Sequence, residues 1–477
     1  MSQHHTAPQT VPPAEVVRGL RDAFDSGVTL PVAARLQTLA DLQRGLTAEA
    51  PALAAALEKD LGKGAVESVT TEIGYLHTEI AHMRKNLRRW LRPARFRPGA
   101  ILAPSRGQLI RDPLGVALVI APWNYPVNLA LSPLVGAIAG GNTTVLKPSE
   151  VTPATSAAIA ALVRRHLDPR VVAVVEGGVE ETTELLEQRF DTIFYTGGGH
   201  VGRIVARAAA EHLTPVTLEL GGKSPVFVDD GVDLEVAARR IVWGTFTNAG
   251  QTCVAPDYLM ATPATLRALE PHLVAAVREF YGRDPRDSAD YGRIVNEKHL
   301  ERIAGLLEME ASDPSRLVLG GPDGIDSGAR YIPPTIVRDV DEDHPLMSEE
   351  IFGPILPLVP VTGATEAIER IRNRPKPLTA YVFTSNPRVE TLFAAHTSSG
   401  SLAIGLTLAH LGSVAMPFGG VGESGYGAYH GEHSLDAFTH TKPLVTKPLR
   451  PDTLTIVYPP APRAVRAMAG RLLRPRD

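Results

Sequence analysis

Short apolar segments alternate with helical patterns through most of this chain, and that alternation limits its possible folds more than any other feature. In the first series each apolar segment precedes a stretch with helical periodicity, and the segments are 116–120, 142–146, 171–175 and 192–195. A second such series begins near 224–228 and continues to about Phe383. Alternation of this kind is typical of a parallel, doubly wound sheet. The sequence therefore predicts an α/β protein.

Two other regions flank this alternation on its N-terminal side. Residues 13–91 are rich in Ala, Leu, Glu and Arg with apolar spacings of three and four, which predicts a helical opening section. Residues 92–113 are rich in Pro, Arg and Gly, with short extended pieces. The chain has 477 residues, of which 44 % are hydrophobic. At roughly 100–200 residues per domain, we expect two or three domains.

Charge and targeting signals exclude several classes of protein. The 48 Lys and Arg residues nearly balance the 52 Asp and Glu residues, for a net charge of −4, so no electrostatic footprint for nucleic acid is present. The polar residues 1–13 contain no apolar core of a secretory signal. No apolar run approaches the roughly 18–20 residues of a membrane-spanning helix. We therefore expect a cytoplasmic protein.

The C-terminal residues 462–477 leave two interpretations open. Arginines at 463, 466, 471, 474 and 476 accompany apolar residues at 465, 468, 472 and 473. This pattern is compatible with a basic amphipathic helix that rests on anionic lipid, a peripheral membrane contact. It is more typical of a solvated, frayed terminus.

Cys253 is the only cysteine, which excludes an intrachain disulfide and a multi-cysteine metal site. We expect no metal. Its neighbours in 248–256 are a glycine and small or polar residues. A lone cysteine is either a small buried hydrophobic residue or a thiol kept for its reactivity, and the residue alone does not separate the two.

Three further segments could carry chemistry. Gly197–Gly202 follows a predicted strand and precedes a predicted helix at 203–210, so its backbone could approach a phosphate, although a turn alone has the same composition. Lys147 and Glu150 follow the strand that ends at 146 and could bind ribose hydroxyls, or lie in a solvated loop. Glu219 has apolar neighbours that would raise the pKa of its carboxyl, as a general base near neutral pH requires, unless it points outward.

In combination these segments resemble the NAD(P)-dependent aldehyde dehydrogenase superfamily, over roughly 51–445. The motifs occur in this order: Trp-Asn-Tyr-Pro at 123–126, Lys-Pro-Ser-Glu at 147–150, the glycine turn at 197–202, Glu-Leu-Gly-Gly-Lys at 219–223, Gly-Gln-Thr-Cys at 250–253, Glu-Ile-Phe-Gly-Pro at 350–354 and Pro-Phe-Gly-Gly at 417–420. The most specific part is 219–223 with Cys253 following Glu219 by 34 residues. The segments 112–116, 253–258 and 418–431 are similar to the shorter, class 3-like branch.

The resemblance implies a Rossmann-type parallel-sheet cofactor domain, an α/β catalytic domain and a β oligomerisation arm. Carried onto this chain, the cofactor domain would comprise 1–94 and 114–220, the catalytic domain 221–422, the arm 95–113 with 436–450, and a C-terminal tail 451–477. The class 3-like branch is usually dimeric, so a homodimer is expected.

The resemblance also implies roles for individual residues. Cys253 would be the nucleophile that forms a thiohemiacetal and then a thioester, and Asn124 would hold the oxyanion together with the Cys253 N–H. Glu219 would activate the hydrolytic water. Residues expected to bind the cofactor are Trp123, Lys147, Ser149, Glu150, Gly197, Gly202, Glu350 and Phe352. The acid at 150 disfavours a 2′-phosphate, so NAD is the expected cofactor, with NADP also accepted in this branch.

The expected activity is oxidation of an aldehyde, of medium or long aliphatic chain or aromatic, to the carboxylic acid. The alternatives are a CoA-acylating enzyme and a non-catalytic structural or binding protein that keeps the fold. CoA-acylating relatives commonly lack the general-base glutamate, and Glu219 is present. Two segments depart from the family pattern: 198–200 in the glycine turn, and 403–406, where relatives carry an Asn-rich strand end near the substrate entrance.

Overall fold

The computed structural model describes residues 11–460 and 462–472. Outside this part of the chain lie residues 1–10 and the last residues of the arginine-rich tail, including Arg474 and Arg476.

Within the described residues, the strands are β1 (Ala94–Phe96), β2 (Arg106–Pro113), β3 (Val116–Ile120), β4 (Thr143–Lys147), β5 (Val172–Val174), β6 (Thr192–Thr196), β7 (Val216–Glu219), β8 (Pro225–Val228), β9 (Tyr258–Ala261), β10 (Leu317–Leu319), β11 (Thr335–Val337), β12 (Ile355–Pro360), β13 (Thr379–Phe383), β14 (Ser401–Ile404), β15 (Gly425–Tyr426) and β16 (Thr439–Thr446).

The helices are α1 (Pro13–Asp25), α2 (Val32–Leu61), α3 (Ala65–Glu67), α4 (Gly74–Trp90), α5 (Pro126–Gly140), α6 (Pro153–His166), α7 (Val179–Leu186), α8 (Gly199–Ala210), α9 (Leu234–Phe246), α10 (Pro263–Tyr281), α11 (Glu297–Gly305), α12 (Glu308–Ser312), α13 (Ala364–Arg372), α14 (Pro387–His396), α15 (Glu432–Phe438) and α16 (Arg463–Leu472). A π-helical turn (Ser68–Ile73) joins α3 to α4.

The first sheet has six strands in the order β15-β7-β6-β3-β4-β5. All neighbours are parallel except β15, which runs antiparallel to β7. The strand order reverses between β3 and β6, because the chain first adds β4 and β5 on one side of β3 and then β6 and β7 on the other. In open α/β sheets, ligands bind at the carboxyl ends of the strands beside such a reversal. The segments that follow β3, β4 and β6 meet there.

The second sheet has seven strands in the order β10-β11-β12-β9-β8-β13-β14, parallel except for β10. The predicted second series therefore continues past Phe383 to Ile404. The predicted boundary at 220/221 falls between β7 and β8, where the chain leaves the first sheet for the second. The predicted domains left 423–435 unassigned, and in the structure β15 joins the first sheet while α15 packs on α5.

A third, antiparallel sheet has the order β1-β2-β16 and lies in the segments expected to form the arm. Strand β16 pairs with β2 over its whole length, from Thr439 opposite Pro113 to Thr446 opposite Arg106. After its first residue every residue of β16 is exposed. Its other edge has no strand beside it among the described residues.

The opening section is helical, as predicted; α2 and α4 pack on one face of the first sheet, and α1 packs on the other. Leucines of α2 and α4 such as Leu39, Leu57 and Leu87 are fully buried in one cluster with β3 and α5. This cluster also contains Val254, directly after the cysteine, so the cysteine segment rests on the core of the first sheet. Within the described residues, no helix has both the length and the apolar character needed to cross a membrane.

Candidate active site

The segment before Cys253 is a tight turn of unusual backbone conformation. Asn248, Ala249 and Gly250 have φ values of 54°, 52° and 74°, so three consecutive residues are left-handed. Such conformations cost on the order of 1–3 kcal/mol for a non-glycine residue and persist only where the surroundings hold them. A Cβ on Gly250 would lie 2.2 Å from the Gly353 carbonyl oxygen, so glycine is required there. The turn directs the following residues, including the thiol, across the end of the first sheet.

Cys253 is a partly buried residue, and its thiol lies near two carboxyl groups. Burial raises the pKa of the thiol to about 12, and the charges of Glu350 and Glu219 contribute to that rise. The backbone N–H groups of Cys253 and Val254 act in the opposite direction. The structure therefore brings Cys253, Glu219 and Glu350 into one region, and the thiol of the free protein is predominantly protonated at neutral pH.

Glu219 ends strand β7 and points inward, with only 2 % of its surface exposed. Neither carboxyl oxygen has a hydrogen-bond partner within the described residues. The backbone on either side is held in place, because Gly197 N–H donates to the Glu219 carbonyl and Leu220 N–H donates to the Ser424 carbonyl. Burial raises the pKa of the Glu219 carboxyl well above its usual range. When this group is ionised, either oxygen is free to accept a proton from a small molecule such as water.

Asn124 follows strand β3 and is 3 % exposed. Its side-chain Nδ2 donates one hydrogen bond to the Gln251 carbonyl, at 3.1 Å, two residues before the cysteine. The second N–H of the amide remains available. Gln251 in turn donates from Nε2 to the carbonyls of Asn248 and Arg293, and Val295 N–H donates to its Oε1. The carboxamide of Asn124 is therefore held against the turn that carries the thiol.

Lys147 and Glu150 lie at the carboxyl end of β4. Lys147 is 2 % exposed, so it does not lie in a solvated loop, and its Nζ donates to the Pro148 carbonyl at 3.0 Å and to Glu150 Oε2 at 3.3 Å. Glu150 is exposed, with its side chain beside Gly178. Ser149 is buried, and its Oγ accepts a hydrogen bond from Val151 N–H. The helix after this segment begins at Pro153.

The glycine turn differs in part from its prediction. Helix α8 begins at Gly199 rather than at 203, so Gly202 lies inside the helix. The N–H of Gly202 donates to the Gly198 carbonyl, a hydrogen bond within the helix. A Cβ at Gly202 would lie 2.8 Å from Leu220 Cδ2, so this glycine serves the packing of α8 on β7. The expected role of Gly202 in cofactor binding stays a prediction.

The N-terminus of α8 is open. No side chain caps it, and a Cβ at Gly198 would meet nothing within 4 Å. Gly197 closely approaches Tyr195, because a Cβ there would lie 2.3 Å from the Tyr195 hydroxyl oxygen. Unpaired N–H groups and the helix dipole at such an end attract an anion.

Glu350 and Phe352 reach the same site from the second sheet's side. One oxygen of Glu350, Oε1, is buried without a partner, and burial raises the pKa of this carboxyl to about 8. Gly221 permits its approach, since a Cβ there would lie 2.0 Å from Glu350 Oε2. Phe352 has a φ of 47° and packs edge-to-face on Trp123, with ring centroids 5.2 Å apart. Trp123 thus joins the two halves of the site.

These residues fit a dinucleotide. The open helix end at Gly198 suits a pyrophosphate, the exposed carboxylate of Glu150 and the ammonium of Lys147 suit one ribose, and the unpartnered Glu350 oxygen suits the other. The crevice lies at the reversal of strand order, where such ligands bind.

Several residues that hold the site together are not in the predicted set. Gln251 and Asn248 are fully buried and link the cysteine turn to Asn124. Their position close to Cys253 in the sequence is the signal that could have identified them. Lys63 and Glu72 form a buried pair behind Asn124, and Lys63 donates to its carbonyl oxygen. No local pattern marks this pair, because its partners are 61 and 56 residues away in sequence.

Comparisons with known proteins agree with this geometry. The model of the aldehyde dehydrogenase family matches residues 13–444. A protein of Rattus norvegicus named "Aldehyde dehydrogenase, dimeric NADP-preferring" is 44 % identical over 453 residues, which cover 94 % of this chain and 98 % of that protein. "Aldehyde dehydrogenase family 3 member H1" of Arabidopsis thaliana is 45 % identical over 452 residues, covering 94 % of this chain and 92 % of that protein.

Solved structures show the same similarity. The structure titled "Substrate bound state of Staphylococcus Aureus AldH" superposes with a TM-score of 0.92 at 39 % identity, covering 98 % of this chain and 100 % of that one. An indole-3-acetaldehyde dehydrogenase in complex with NAD+ superposes with a TM-score of 0.83 at 28 % identity, covering 92 % and 90 %. The chain therefore belongs to the aldehyde dehydrogenase family, in its class 3-like branch, and is an NAD(P)-dependent oxidoreductase that converts aldehydes to carboxylic acids.

Proposed function

We propose that Cys253 is the nucleophile of this oxidation, with Glu219 as the general base and Asn124 as the oxyanion donor. One observation carries the proposal. The protein's one thiol follows a left-handed turn and lies near a buried carboxyl group that has no hydrogen-bond partner among the described residues. Paired groups of this kind, with pKa values displaced by burial, are typical of catalytic sites.

In the first step the Cys253 sulfur, as thiolate, bonds to the aldehyde carbon, and the carbonyl electron pair moves to the oxygen. The free N–H of Asn124 and the backbone N–H of Cys253 stabilise that oxyanion. Donors already in place cost no reorganisation at the moment of reaction, and each is typically worth about 10²–10³ in rate. Lys147, Glu150 and Glu350 would hold NAD(P)+, which would supply the acceptor for the hydride that leaves the aldehyde carbon.

The acyl group then remains on Cys253 as a thioester. Glu219 accepts a proton from a water molecule, whose oxygen attacks the acyl carbon, and the sulfur leaves as thiolate. The burial of Glu219 suits this step, because a raised carboxyl pKa makes the carboxylate a stronger base. The presence of this base favours hydrolysis over transfer of the acyl group to CoA. The names of the relatives do not favour the CoA-acylating or the non-catalytic alternative either.

Two variants test these assignments. Cys253→Ala should lose aldehyde oxidation entirely, while Glu219→Gln should still release one rapid equivalent of NADH per site before a slow steady state, at least about 100-fold below wild type. Stopped-flow absorbance measures both phases. A Glu219→Gln variant with the wild-type steady-state rate would remove that residue from the role.

We propose that NAD is preferred over NADP because the carboxylate of Glu150 lies where a ribose would bind and repels a 2′-phosphate. The rat relative is named NADP-preferring, so the preference needs a direct measurement. Glu150→Gln should raise kcat/KM with NADP relative to NAD by about tenfold, which corresponds to the loss of one unfavourable charge pair near the surface. An unchanged ratio would assign the preference to other residues.

Medium- or long-chain aliphatic and aromatic aldehydes are the proposed substrates, by similarity to the class 3-like branch. Turnover of a chain-length series with both cofactors tests this, and a maximum at acetaldehyde would contradict it. The protein is proposed to be cytoplasmic, since a lone free thiol suits a reducing compartment. A homodimer is proposed from the exposed arm and from the word "dimeric" in the rat relative's name.

Peripheral contact of the C-terminal tail with anionic lipid is kept as a proposal. Helix α16 is ten residues long and contains arginines 463, 466 and 471. Co-sedimentation with vesicles that contain phosphatidylserine tests it, and a chain shortened after residue 460 is the control. Equal binding of the two proteins would exclude the tail.

A further inference from the structure

A buried ion pair lies directly behind the proposed oxyanion donor. The side chains of Lys63 and Glu72 are both 0 % exposed, and Lys63 Nζ is 2.6 Å from Glu72 Oε1. Lys63 follows the end of α2, and Glu72 lies in the π-helical turn before α4. Removing such a charge pair from water costs free energy, and the pair often contributes little to stability. Stability alone therefore does not explain why this pair is present.

The ammonium of Lys63 is directed at the peptide of Asn124. Nζ donates to the Asn124 carbonyl oxygen at 2.9 Å and lies 3.8 Å from the centre of the Tyr125 ring. The same carbonyl accepts a second hydrogen bond, at 2.8 Å, from the Asn248 amide in the cysteine turn. The backbone of Asn124 is thus held from two sides, by Lys63 and by the segment that carries the thiol.

Glu72 extends the same arrangement to helix α5. Its second oxygen, Oε2, accepts a hydrogen bond at 2.8 Å from the backbone N–H of Asn128, in the first turn of α5. A carboxylate at this end of a helix is favourably placed with respect to the dipole. One buried pair therefore fixes both the peptide of Asn124 and the start of the helix that follows it.

We propose that Lys63 is a positioning residue for aldehyde oxidation: it holds the Asn124 carboxamide where the oxyanion forms, and Glu72 holds Lys63. This inference rests on the role proposed above for Asn124. The free N–H of that carboxamide must point at a developing charge, and a displacement of about 1 Å at such a group can cost about 10²-fold in rate.

A direct electrostatic action of Lys63 on the thiol is the competing explanation. The charged groups that most raise the pKa of Cys253 are Glu350 and Glu219. The two explanations differ in one measurable quantity. Positioning changes turnover and leaves the reactivity of the thiol toward an alkylating reagent unchanged, because alkylation forms no oxyanion.

The test uses the double variant Lys63→Met/Glu72→Gln, which removes both charges of the pair together and keeps an acceptor for Asn128 N–H. We expect kcat to fall by about 10- to 100-fold, the KM for aldehyde to stay within about threefold, and the rate of iodoacetamide alkylation of Cys253 to stay within about twofold. Glu72→Gln alone retains the Lys63–Asn124 contact and should lose less kcat than the double variant. An equal loss in both would overturn the role of Lys63.

A double-mutant cycle with Asn124→Ala shows whether Lys63 acts through Asn124. Adding the Lys63→Met/Glu72→Gln changes to Asn124→Ala should lower kcat no further. Multiplication of the two losses would overturn the inference while leaving the oxyanion role of Asn124 in place. An Asn124→Ala protein with wild-type kcat would instead overturn that role, and with it the basis of the inference.

Arg35→Met is the matched control for loss of a buried cation. Arg35 is 6 % exposed and donates to the carbonyls of Ala139 and Gly140, at the other end of the same helix α5. It should leave kcat within about twofold. Circular dichroism melting curves compare the folding of all variants. A loss of kcat in Arg35→Met equal to that of the double variant would show a general effect on α5 and overturn the proposal.

Discussion

At the scale of single residues, the thiol of the free protein is held in its protonated form. Burial, Glu350 and Glu219 raise the pKa of Cys253 to about 12. Below this pKa the thiolate fraction grows tenfold for each pH unit. Alkylation by iodoacetamide, without cofactor, should therefore accelerate about tenfold per unit between pH 7 and pH 9. Because the chain has one cysteine, mass spectrometry measures the site directly. A plateau below pH 8 would contradict the assignment.

Glu79 leads to a prediction about stability rather than activity. It is fully buried in α4, and burial raises the pKa of its carboxyl to about 8, against the opposing effect of the Ser132 hydroxyl. A raised folded-state pKa gives stability that is complete below the unfolded pKa near 4.5 and is lost as pH rises through about 8. Glu79→Gln should remove this dependence and raise the free energy of unfolding at pH 9 by about 2–4 kcal/mol, with little change at pH 5.

Urea unfolding at the two pH values measures this difference. Glu390→Gln, an exposed substitution in the first turn of α14, is the control and should show no pH-dependent gain. A Glu79→Gln protein less stable than wild type at pH 9 would show that the carboxylate has a partner that the fold supplies.

The sequence identified the residues that lie in short motifs, but not the residues that hold those motifs in position. Cys253, Glu219 and Asn124 lie in segments whose composition is distinctive, and the structure brings them to one region. Lys63 and Glu72 carry ordinary residue types in a helical region, and their contacts to Asn124 and Asn128 depend on the packing of α2 and α4 on α5. Such contacts arise only when distant segments pack together, and a single sequence does not contain that information locally.

At the scale of elements, the turn before Cys253 is the least replaceable. Gly250 has a φ of 74°, and a Cβ there would lie 2.2 Å from the Gly353 carbonyl oxygen. Gly250→Ala should therefore displace the cysteine turn, lower kcat by about 100-fold or more and destabilise the protein by about 1–3 kcal/mol. Steady-state kinetics and urea unfolding measure the two effects.

Gly231→Ala is the matched control for this substitution. Gly231 has a similar φ of 77°, but a Cβ there would meet nothing within 4 Å. It carries the same conformational penalty without the clash, so it should reduce stability and retain activity. Equal activity losses in the two variants would show that left-handed backbone, and not the contact with Gly353, accounts for the effect.

Element types were predicted better than element ends. Strands β3, β4, β5 and β6 lie within one or two residues of their predicted positions because continuous apolar segments bounded by turns are a strong signal. The start of α8 was placed four residues late, since three glycines in sequence favour a loop by intrinsic propensity. Packing against Leu220 outweighs that propensity in the folded protein and makes small residues favourable in the first turn.

At the scale of the whole molecule, the site exists only where the two large sheets meet. Asn124 and Lys147 come from the ends of first-sheet strands, whereas Cys253, Glu350 and Phe352 come from segments that belong to the second. Alternation of strands and helices predicted both sheets, but not how they face each other. The relative placement of the two sheets follows from a shared hydrophobic cluster, which contains Val254, Leu378 and Phe418 beside residues of α5.

At this scale, the prediction is that a second copy of the chain binds to the arm. Its strand β16 has an open edge, and Leu444 and Val445 on it are 42 % and 44 % exposed. An exposed strand edge with apolar side chains is a favourable surface for pairing with another chain. If a second copy covers this strand, Leu444→Glu with Val445→Glu places two charges in the interface and should convert the dimer to a monomer at micromolar concentration. Sedimentation velocity measures the mass of each species.

The control is an exposed apolar residue elsewhere, and Leu213 meets this condition. It is 91 % exposed and follows α8, on the first sheet's side of the molecule. Leu213→Glu should leave the sedimentation coefficient unchanged. A dimer that persists in the arm variant, or a wild-type protein that sediments as a monomer, would contradict the arm as the dimer interface. A wild-type tetramer that the arm variant reduces to a dimer would instead assign the arm to the contact between dimers, since two distinct interfaces are needed to build a closed tetramer from twofold contacts.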